Sequence, residues 1–443
     1  MVSQISNAPA APPNLKTSHK KHIATKVFLF EPFVLFCGYM NFEAAVQYLL
    51  GLGHETLTIK LGLRNTELLL AALDNPERAF PSAQIAGTNG KGSTAVMLDS
   101  ICRAAGIKCG LYTSPHLVSM TERITLSGSQ ISPVEFAACL TTVRDVSAQL
   151  EAMPTFFEQL TVAALLAFKN AGIELAILET GLGGRLDSTT AAKASIVAIT
   201  PISMDHEEYL GDTLESIAAE KAAIIRPGVQ AVIAKQDPVV LRVLLRRCEE
   251  TGVTPILDTD MHRYKGVRLG LRGRHQIENA GVAIRLAELL SIPEAAIVTG
   301  LETVTHPGRL ELIQHEPALL IDGAHNPAGA KSLRDYLDEV APRPLTLVFG
   351  AMRDKQLEQI GEILFPCADT LILTTVNNPR SASIERLKEV AGRFARGRVA
   401  ASESSAAALR MAEAETPPEG LICIAGSLYL VGELRPLILR KLI

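Results

Sequence analysis

The chain has 443 residues, 47% hydrophobic and 20% charged, which excludes disorder as its main state and predicts two or three domains, each with its own core. With 43 Lys and Arg against 47 Asp and Glu, the net charge of −4 gives no bulk attraction to nucleic acid or to an anionic membrane, so any bound anion needs a local site. The seven Cys are scattered and never spaced C-x-x-C, which argues against a disulfide framework or a thiolate zinc site and suits a reducing cytoplasm.

Residues 1–39 read as a disordered extension. The stretch 16–26 is basic, and the apolar run 27–40 carries Glu31 and Pro32 and is too short for a membrane helix of about 20 residues. The folded chain is expected from Met40. Phe42, Ala45, Val46 and Leu49 share one face of a helix over 42–51. A strand at 84–86 runs into a Gly-rich loop, and a helix follows over 93–105. Residues 108–112, 175–179, 195–200 and 229–234 read as short buried strands, with helices between them that include 156–170 and 214–225. Such alternation is the pattern of a mainly parallel sheet covered on both faces. After a helix over 274–290, the breaker cluster His306-Pro307-Gly308-Arg309 marks a hinge, and a second strand–helix series follows at 318–322, 345–349, 370–374 and 421–425. The Ala/Glu/Ser-rich segment 400–419 reads as an exposed helix and turn.

The most informative segment is Ala86-Gly87-Thr88-Asn89-Gly90-Lys91-Gly92-Ser93-Thr94, entered by a strand and left by a helix. Glycines let consecutive N–H groups turn toward phosphate oxygens, the helix N-terminus adds partial positive charge, and Lys91 adds a full one. It is a variant of G-x-x-x-x-G-K-[ST]: Gly92 intervenes before the hydroxyl, and Ile85 stands where the first glycine would be. Nucleotide binding is the expectation. Three further strand ends carry Ser114, Glu179 and His206, and one parallel sheet would deliver all three to the edge that bears the loop. Two oxygen ligands and one imidazole suit Mg²⁺ shared with phosphates. Taken on its helix alone, Lys221 reads as a lysine that reaches solvent. In the second half Arg309 can fork onto phosphate, and 321–327, with Asp322 and His325, is a strand end with turn chemistry.

The stretches GTNGKGS (87–93), TSPHLVSMTERI (113–124), FFEQLTVAA (156–164), ETGLGGRLD (179–187), SMDHEEYLG (203–211), ESIAAEKAAIIRPG (215–228), HPGRLE (306–311), DGAHNP (322–327) and GSLYLVGELR (426–435) follow one another in family order. Together they resemble the folylpolyglutamate synthase/dihydrofolate synthase family of the Mur-ligase superfamily. The resemblance implies an α/β fold with a phosphate-loop ATPase domain over 40–303 and a smaller Rossmann-like ligase domain over 304–443. It implies ATP-dependent ligation of L-glutamate to dihydropteroate and to folates. A monomer is expected because no oligomerisation segment is evident, and the cysteine usage places it in the cytoplasm. Asn89, Gly90, Lys91, Gly92 and Ser93 would hold the ATP phosphates; Asn279 would lie by adenine, and Arg309 and Asp322 would reach the nucleotide from the second domain. Ser114, Glu179 and His206 would hold Mg²⁺. Lys221 would carry a carbamate, which reverses the solvent-facing reading, and Lys91, Lys221 and His206 would form the catalytic set. The pteroyl side would involve Ile59, Lys60, Leu61, Thr155, Phe156, Phe157, Glu158, Leu186, Asp187 and Ser188. Two departures fall on that side: Asp187-Ser188-Thr189-Thr190 replaces the frequent Asp-Ala-Thr-Asn, and Lys60 replaces the acid of a Thr-Ile-Asp-Leu-Gly run. They leave a monofunctional folylpolyglutamate synthase as the near alternative. A peptidoglycan Mur ligase and a non-catalytic nucleotide-binding regulator stand further off.

Overall fold

A computed structural model describes residues 38–53, 62–313, 315–340 and 343–440. Ile59, Lys60 and Leu61 lie outside the described residues. Two sheets organise the rest. The first orders its strands β4-β3-β2-β5-β1-β6-β7, with β1 Ser82–Ala86, β2 Cys109–Tyr112, β3 Ile124–Leu126, β4 Ser129–Gln130, β5 Leu175–Glu179, β6 Ile196–Ile199 and β7 Gln230–Ile233. The run from β2 to β7 is parallel, and the short β3 and β4 are antiparallel additions at one edge. Every residue of β1 and β5 is buried, because helices cover both faces. On one face the phosphate-loop helix Lys91–Ala104 packs with His275–Leu289 and Glu294–Thr303 around Met97, Leu98, Ile101 and Val282. On the other face two cores lie side by side. One is built on Leu160, Phe136 and Phe168, the other on Ile217, Ile224 and Leu244.

The second sheet orders β12-β11-β10-β13-β9-β8, with β8 Glu311–Ile313, β9 Ala318–Ile321, β10 Leu345–Phe349, β11 Thr370–Thr374, β12 Arg398–Ser402 and β13 Leu421–Ala425. All its pairs are parallel except β8 with β9. The mixed α/β architecture with a mostly parallel central sheet and a second sheet toward the C-terminus is therefore as expected. No helix among the described residues is long and apolar enough to cross a membrane. The six cysteines among them are free and buried.

Three local readings need correction. Residues 398–402 form the edge strand β12, where the sequence suggested only helix and turn; the helix proper is Ser405–Glu415. Arg-Val-Ala-Ala-Ser is weakly apolar because an edge strand pairs on one side only, so burial does not demand a hydrophobic run. The helix that carries Lys221 ends at Ala222, short of 225, as Pro227 disfavours helix in the residue before it. The phosphate-loop helix starts at Lys91, two residues early, because Gly90 at φ +87° makes the turn that launches it.

Candidate active site

The loops that leave the C-terminal ends of β1, β2, β5 and β6 meet those that leave β9, β10, β11 and β13 across one cavity, the crevice where open parallel sheets bind ligands. All twelve residues singled out for nucleotide and metal line it: Asn89, Gly90, Lys91, Gly92, Ser93, Ser114, Glu179, His206, Lys221, Asn279, Arg309 and Asp322.

The phosphate loop is built for close approach. A Cβ on Gly90 would lie 2.2 Å from Asn279 Oδ1, and one on Gly87 would lie 1.9 Å from Thr200 Oγ1, so neither position admits a side chain. Thr88 N and Asn89 N donate to Pro201 O at 3.0 and 3.2 Å, which pins the loop to the end of β6. Lys91 Nζ donates to Gly87 O and Thr88 O at 3.2 and 3.1 Å, curling over its own loop. Burial lowers its pKa from the usual lysine value, opposed by Glu179 and Asp205. Ser93 Oγ accepts from Gln276 Nε2 at 3.2 Å and lies 3.4 Å from His306 Nδ1. Gln276 Oε1 in turn accepts from Asn279 Nδ2 at 2.9 Å.

Glu179 is buried at the end of β5. Its Oε2 accepts from Ser114 N at 3.1 Å, and both carboxylate oxygens lie 3.4 Å from where a Gly92 Cβ would be. Burial pushes its pKa up, opposed first by Lys91, and no residue among those described forms an ion pair with it. A desolvated carboxylate beside a phosphate loop, with no bonded cation, is a group waiting for positive charge. Among the described residues no cluster of three or more His, Cys, Asp and Glu is arranged to hold a metal alone. The set Ser114, Glu179 and His206 fits instead a divalent cation that completes its shell from phosphates and water. His206 stands at φ +54°, a rare backbone state for a non-glycine residue, at the turn into Glu207–Leu210. Burial lowers its pKa to about 4, keeping the imidazole neutral and free to ligate at pH 7.

Lys221 does not reach solvent. It is 4% exposed, its Nζ donates to Gly87 O at 2.8 Å, and burial, reinforced by Lys91, brings its pKa down to about 7. The solvent-facing reading of its helix fails because packing turns this lysine into the cavity, onto the phosphate-loop carbonyl of Gly87.

From the second sheet, Asp322 is tied by Leu310 N and Ala324 N, each at 2.8 Å, and burial raises its pKa against the pull of Arg309. Sequence reasoning missed the network centred on Asp205. This carboxylate, after β6, accepts from Lys355 Nζ at 2.8 Å and from Asn326 Nδ2 at 3.1 Å, and Asn326 Nδ2 also donates to Asn89 Oδ1 at 3.1 Å. Burial alone would raise the Asp205 pKa, but His206, Lys355 and His325 around it hold it far below the usual carboxylate range. Burial brings His325 down to about 4 and His306 to about 3, so both are neutral. Arg380 also lines the cavity, with its Nε buried and without a partner. The sequence signal for Asp205 was its place beside His206; Lys355 and Arg380 carried none.

Of the residues expected on the pteroyl side, those that are described do not line this cavity. Thr155 and Glu158 cap the helix Phe156–Ala171 reciprocally, through Thr155 N to Glu158 Oε2 at 2.7 Å and Glu158 N to Thr155 Oγ1 at 3.3 Å. Phe156 is buried under the Arg123 guanidinium, 5.5 Å from its ring centroid. Phe157 packs on Tyr112 and against Gly181, where a Cβ would come within 2.4 Å of its ring. Leu186 is half-buried and Ser188 buried. Asp187 Oδ2 accepts from Gly181 N and Leu182 N, both at 2.9 Å, and Oδ1 accepts from Thr189 N at 3.0 Å, so the carboxylate holds the Gly-rich loop in shape.

With this geometry in hand, the comparisons are direct. Residues 85–256 match the family described as Mur ligase middle domain, and residues 308–428 match Mur ligase, glutamate ligase domain. The dihydrofolate synthase/folylpolyglutamate synthase of Bacillus subtilis is 31% identical over 419 residues, 86% of this chain and 96% of that protein. A Halobacterium salinarum protein named "Probable bifunctional folylpolyglutamate synthase/dihydropteroate synthase" is 33% identical over 89% of this chain, but the chain spans only about half (51%) of that relative's length. Among solved structures, a bifunctional folylpolyglutamate synthase/dihydrofolate synthase with Mn, AMPPNP and L-glutamate bound superposes with a TM-score of 0.80 at 29% identity, covering 90% of this chain and 98% of that one; one from Yersinia pestis, complexed with AMPPNP and Mn, superposes with a TM-score of 0.80 at 28% identity, covering 90% of this chain and 98% of that one.

Proposed function

The chain belongs to the dihydrofolate synthase/folylpolyglutamate synthase family of Mur ligases, and from this we propose that it is an ATP-dependent ligase joining L-glutamate to dihydropteroate and to tetrahydrofolate polyglutamates. The observation that carries this reading is the meeting, in one cavity, of a phosphate loop, an unpaired buried carboxylate and a buried low-pKa lysine with Arg309, His325 and Lys355 from the second sheet.

In the proposed reaction the pteroyl substrate's carboxylate attacks the γ-phosphorus of ATP, breaking the bond to the bridging oxygen and leaving ADP. The amine of L-glutamate then adds to the acyl phosphate, and phosphate departs as the amide forms. Such chemistry asks for positioning and charge neutralisation rather than a protein nucleophile. Asn89 to Ser93 present backbone N–H groups to the phosphates, Lys91 swings from its loop carbonyls onto them, and Arg309 meets the transferred phosphoryl group. Asn279 lies on the adenine side, and Asp322 orients the segment 309–310 through Leu310 N. Lys355 and Arg380 are the cations that suit the carboxylates of the incoming glutamate. Lys221, neutral in a substantial fraction at pH 7, can add CO₂ to form a carbamate, turning a cation into an anion.

Ser114, Glu179, His206 and the carbamylated Lys221 would hold Mg²⁺, which when bound neutralises charge on the triphosphate. Thr155, Phe156, Phe157, Glu158, Leu186, Asp187 and Ser188, with Ile59, Lys60 and Leu61, would make the pteroyl side. The boundary between the two domains is assigned at 303/304, just before the His306–Gly308 breaker, and the enzyme is assigned as a cytoplasmic monomer, in keeping with its free buried thiols.

A monofunctional folylpolyglutamate synthase is the second reading. It is favoured by Asp187, whose carboxylate is committed to Gly181, Leu182 and Thr189 and is not free for a pterin. Phosphate release from Mg-ATP and L-glutamate, with dihydropteroate and tetrahydrofolate tested in parallel, decides between them. Release with both supports the bifunctional reading, and release with tetrahydrofolate alone supports the second.

A further inference from the structure

Arg309 enters the cavity with nothing bonded to its head. Among the described residues its guanidinium makes no hydrogen bond and no ion pair; Nη1 lies against Gly323, where a Cβ would come within 3.0 Å. A side chain that is free at its tip is placed by its backbone, so the position of this arginine is the position of its turn.

That turn, His306 to Arg309, lies between the helix Glu294–Thr303 and β8. The second sheet ties it from one side. Gly308 O accepts from Gly323 N at 2.9 Å, Gly308 N donates to Glu311 Oε2 at 2.8 Å, and Arg435 pairs with Glu311 at 2.9 Å. Toward the phosphate loop the turn sends His306. Its Cε1 stands 3.2 Å from where a Gly92 Cβ would be, and its Nδ1 lies 3.4 Å from Ser93 Oγ. Arg309 N donates to His306 O at 3.3 Å, which closes the turn between the histidine and the arginine. Ser93 ends a line of buried amides, in which Asn279 Nδ2 donates to Gln276 Oε1 at 2.9 Å and Gln276 Nε2 to Ser93 Oγ at 3.2 Å. The imidazole is neutral at pH 7, since burial, with Arg309 beside it, brings its pKa down to about 3, so it sets no charge against the guanidinium.

We propose that His306 is a positioning residue: by resting on Gly92 and bonding Ser93 it sets the turn 306–309 against the phosphate loop, and so fixes where Arg309 meets a bound triphosphate. It does not touch the reacting atoms and acts through Arg309. The contact also accounts for the loop's departure from G-x-x-x-x-G-K-[ST]. The extra residue before the hydroxyl is a glycine that the His306 ring on one side and the Glu179 carboxylate on the other leave little room to enlarge. The line Asn279–Gln276–Ser93–His306 then joins the side assigned to adenine to the arginine assigned to the transferred phosphoryl group. What Arg309 does there rests on the proposed ligase function, whereas the strut between turn and loop stands on the contacts themselves.

The test uses the full chain. His306→Phe keeps a ring on Gly92 and removes the bond to Ser93; His306→Asn returns a polar atom close to the place of Nδ1. In calorimetric titration with Mg-AMPPNP, His306→Phe is expected to weaken binding by about three- to tenfold and His306→Asn by less than about twofold. In an Arg309→Ala background, His306→Phe is expected to cost less than about twofold more, because the arginine it positions is gone. In turnover, His306→Phe is expected to lower kcat by about tenfold with KM for L-glutamate unchanged, and His306→Asn to recover most of the loss. Wild-type affinity and kcat in His306→Phe, equal losses in the Phe and Asn variants, or a loss that His306→Phe repeats in full without Arg309 would each overturn the proposal. Should His306→Phe lose its native circular dichroism, His306→Leu, close in size to the Asn variant, takes its place in every comparison. A wild type that binds Mg-AMPPNP but is inactive with every pteroyl substrate would refute the ligase reading and leave the binding cycle to decide the role of His306; absence of AMPPNP binding would overturn both.

Discussion

Replacing Lys221 by methionine keeps an unbranched side chain of similar length in a buried site and removes its charge. Burial brings this lysine from an ordinary pKa of 10.5 to about 7. At about 1.4 kcal/mol per pH unit, that is roughly 5 kcal/mol against the charged form in the folded protein, an upper figure because the bond to Gly87 O is also lost in the variant. The sign follows from proton counting. Between pH 7 and 10.5 the unfolded chain keeps the proton that the folded chain has released, so wild-type stability rises with pH in that window and is independent of this group below it. In CO₂-free buffer the Lys221→Met variant is therefore more stable than the wild type at pH 6, and the wild type regains about 3 kcal/mol relative to it by pH 9. Urea unfolding at the two pH values measures the gain. Parallel behaviour, with the same difference at both, would refute the argument that the lysine is desolvated. The functional half of the argument predicts a ¹³C carbamate resonance when wild type is supplied with labelled bicarbonate, its absence in Lys221→Met, and a kcat loss of about 10²–10³-fold in the variant. Full wild-type activity without CO₂ and without that resonance would refute the carbamate.

Lys91→Ala removes the loop's only full charge and is expected to lower kcat by about 10²–10³-fold while circular dichroism stays native; an unimpaired kcat would take the lysine out of phosphoryl transfer. Glu179→Gln replaces a carboxylate that burial disfavours, so the variant should melt at a higher temperature than wild type at pH 7 and yet need far more Mg²⁺ for activity. A lower melting temperature would mean that Glu179 has a stabilising partner. Asp205→Ala breaks the 2.8 Å pair with Lys355 between the loops of the two sheets. It leaves a nearly buried ammonium unpaired, with an expected cost of about 3–5 kcal/mol and a larger radius of gyration in solution scattering. Unchanged stability and radius would remove the pair as a latch between the two halves.

Much of the site was legible because its signals are local. Gly87, Gly90, Lys91 and the strand–helix junction lie within a few residues, and short apolar strands such as 345–349 and 421–425 announce themselves when buried on both faces. Contacts that cross the chain were not legible. Lys355 lies 150 residues from Asp205, and His306 lies 213 residues from Ser93, and nothing in either local sequence marks the encounter. Lys221 misled because snorkelling is what a lysine on an amphipathic helix usually does, and only tertiary packing reveals that its face meets the cavity. β12 was hidden for the opposite reason, since an edge strand asks little of its side chains. Asn279 came from resemblance; the fold then put it within reach of Gly90, and no periodicity could have supplied that.

The measurement that bears most directly on the central claim is glutamate-dependent release of phosphate from Mg-ATP, followed with tetrahydrofolate and with dihydropteroate. The account predicts release that requires ATP, L-glutamate and a pteroyl carboxylate together, with the product heavier by one glutamyl residue in mass spectrometry. A protein that binds AMPPNP but releases no phosphate with either pteroyl substrate would contradict it.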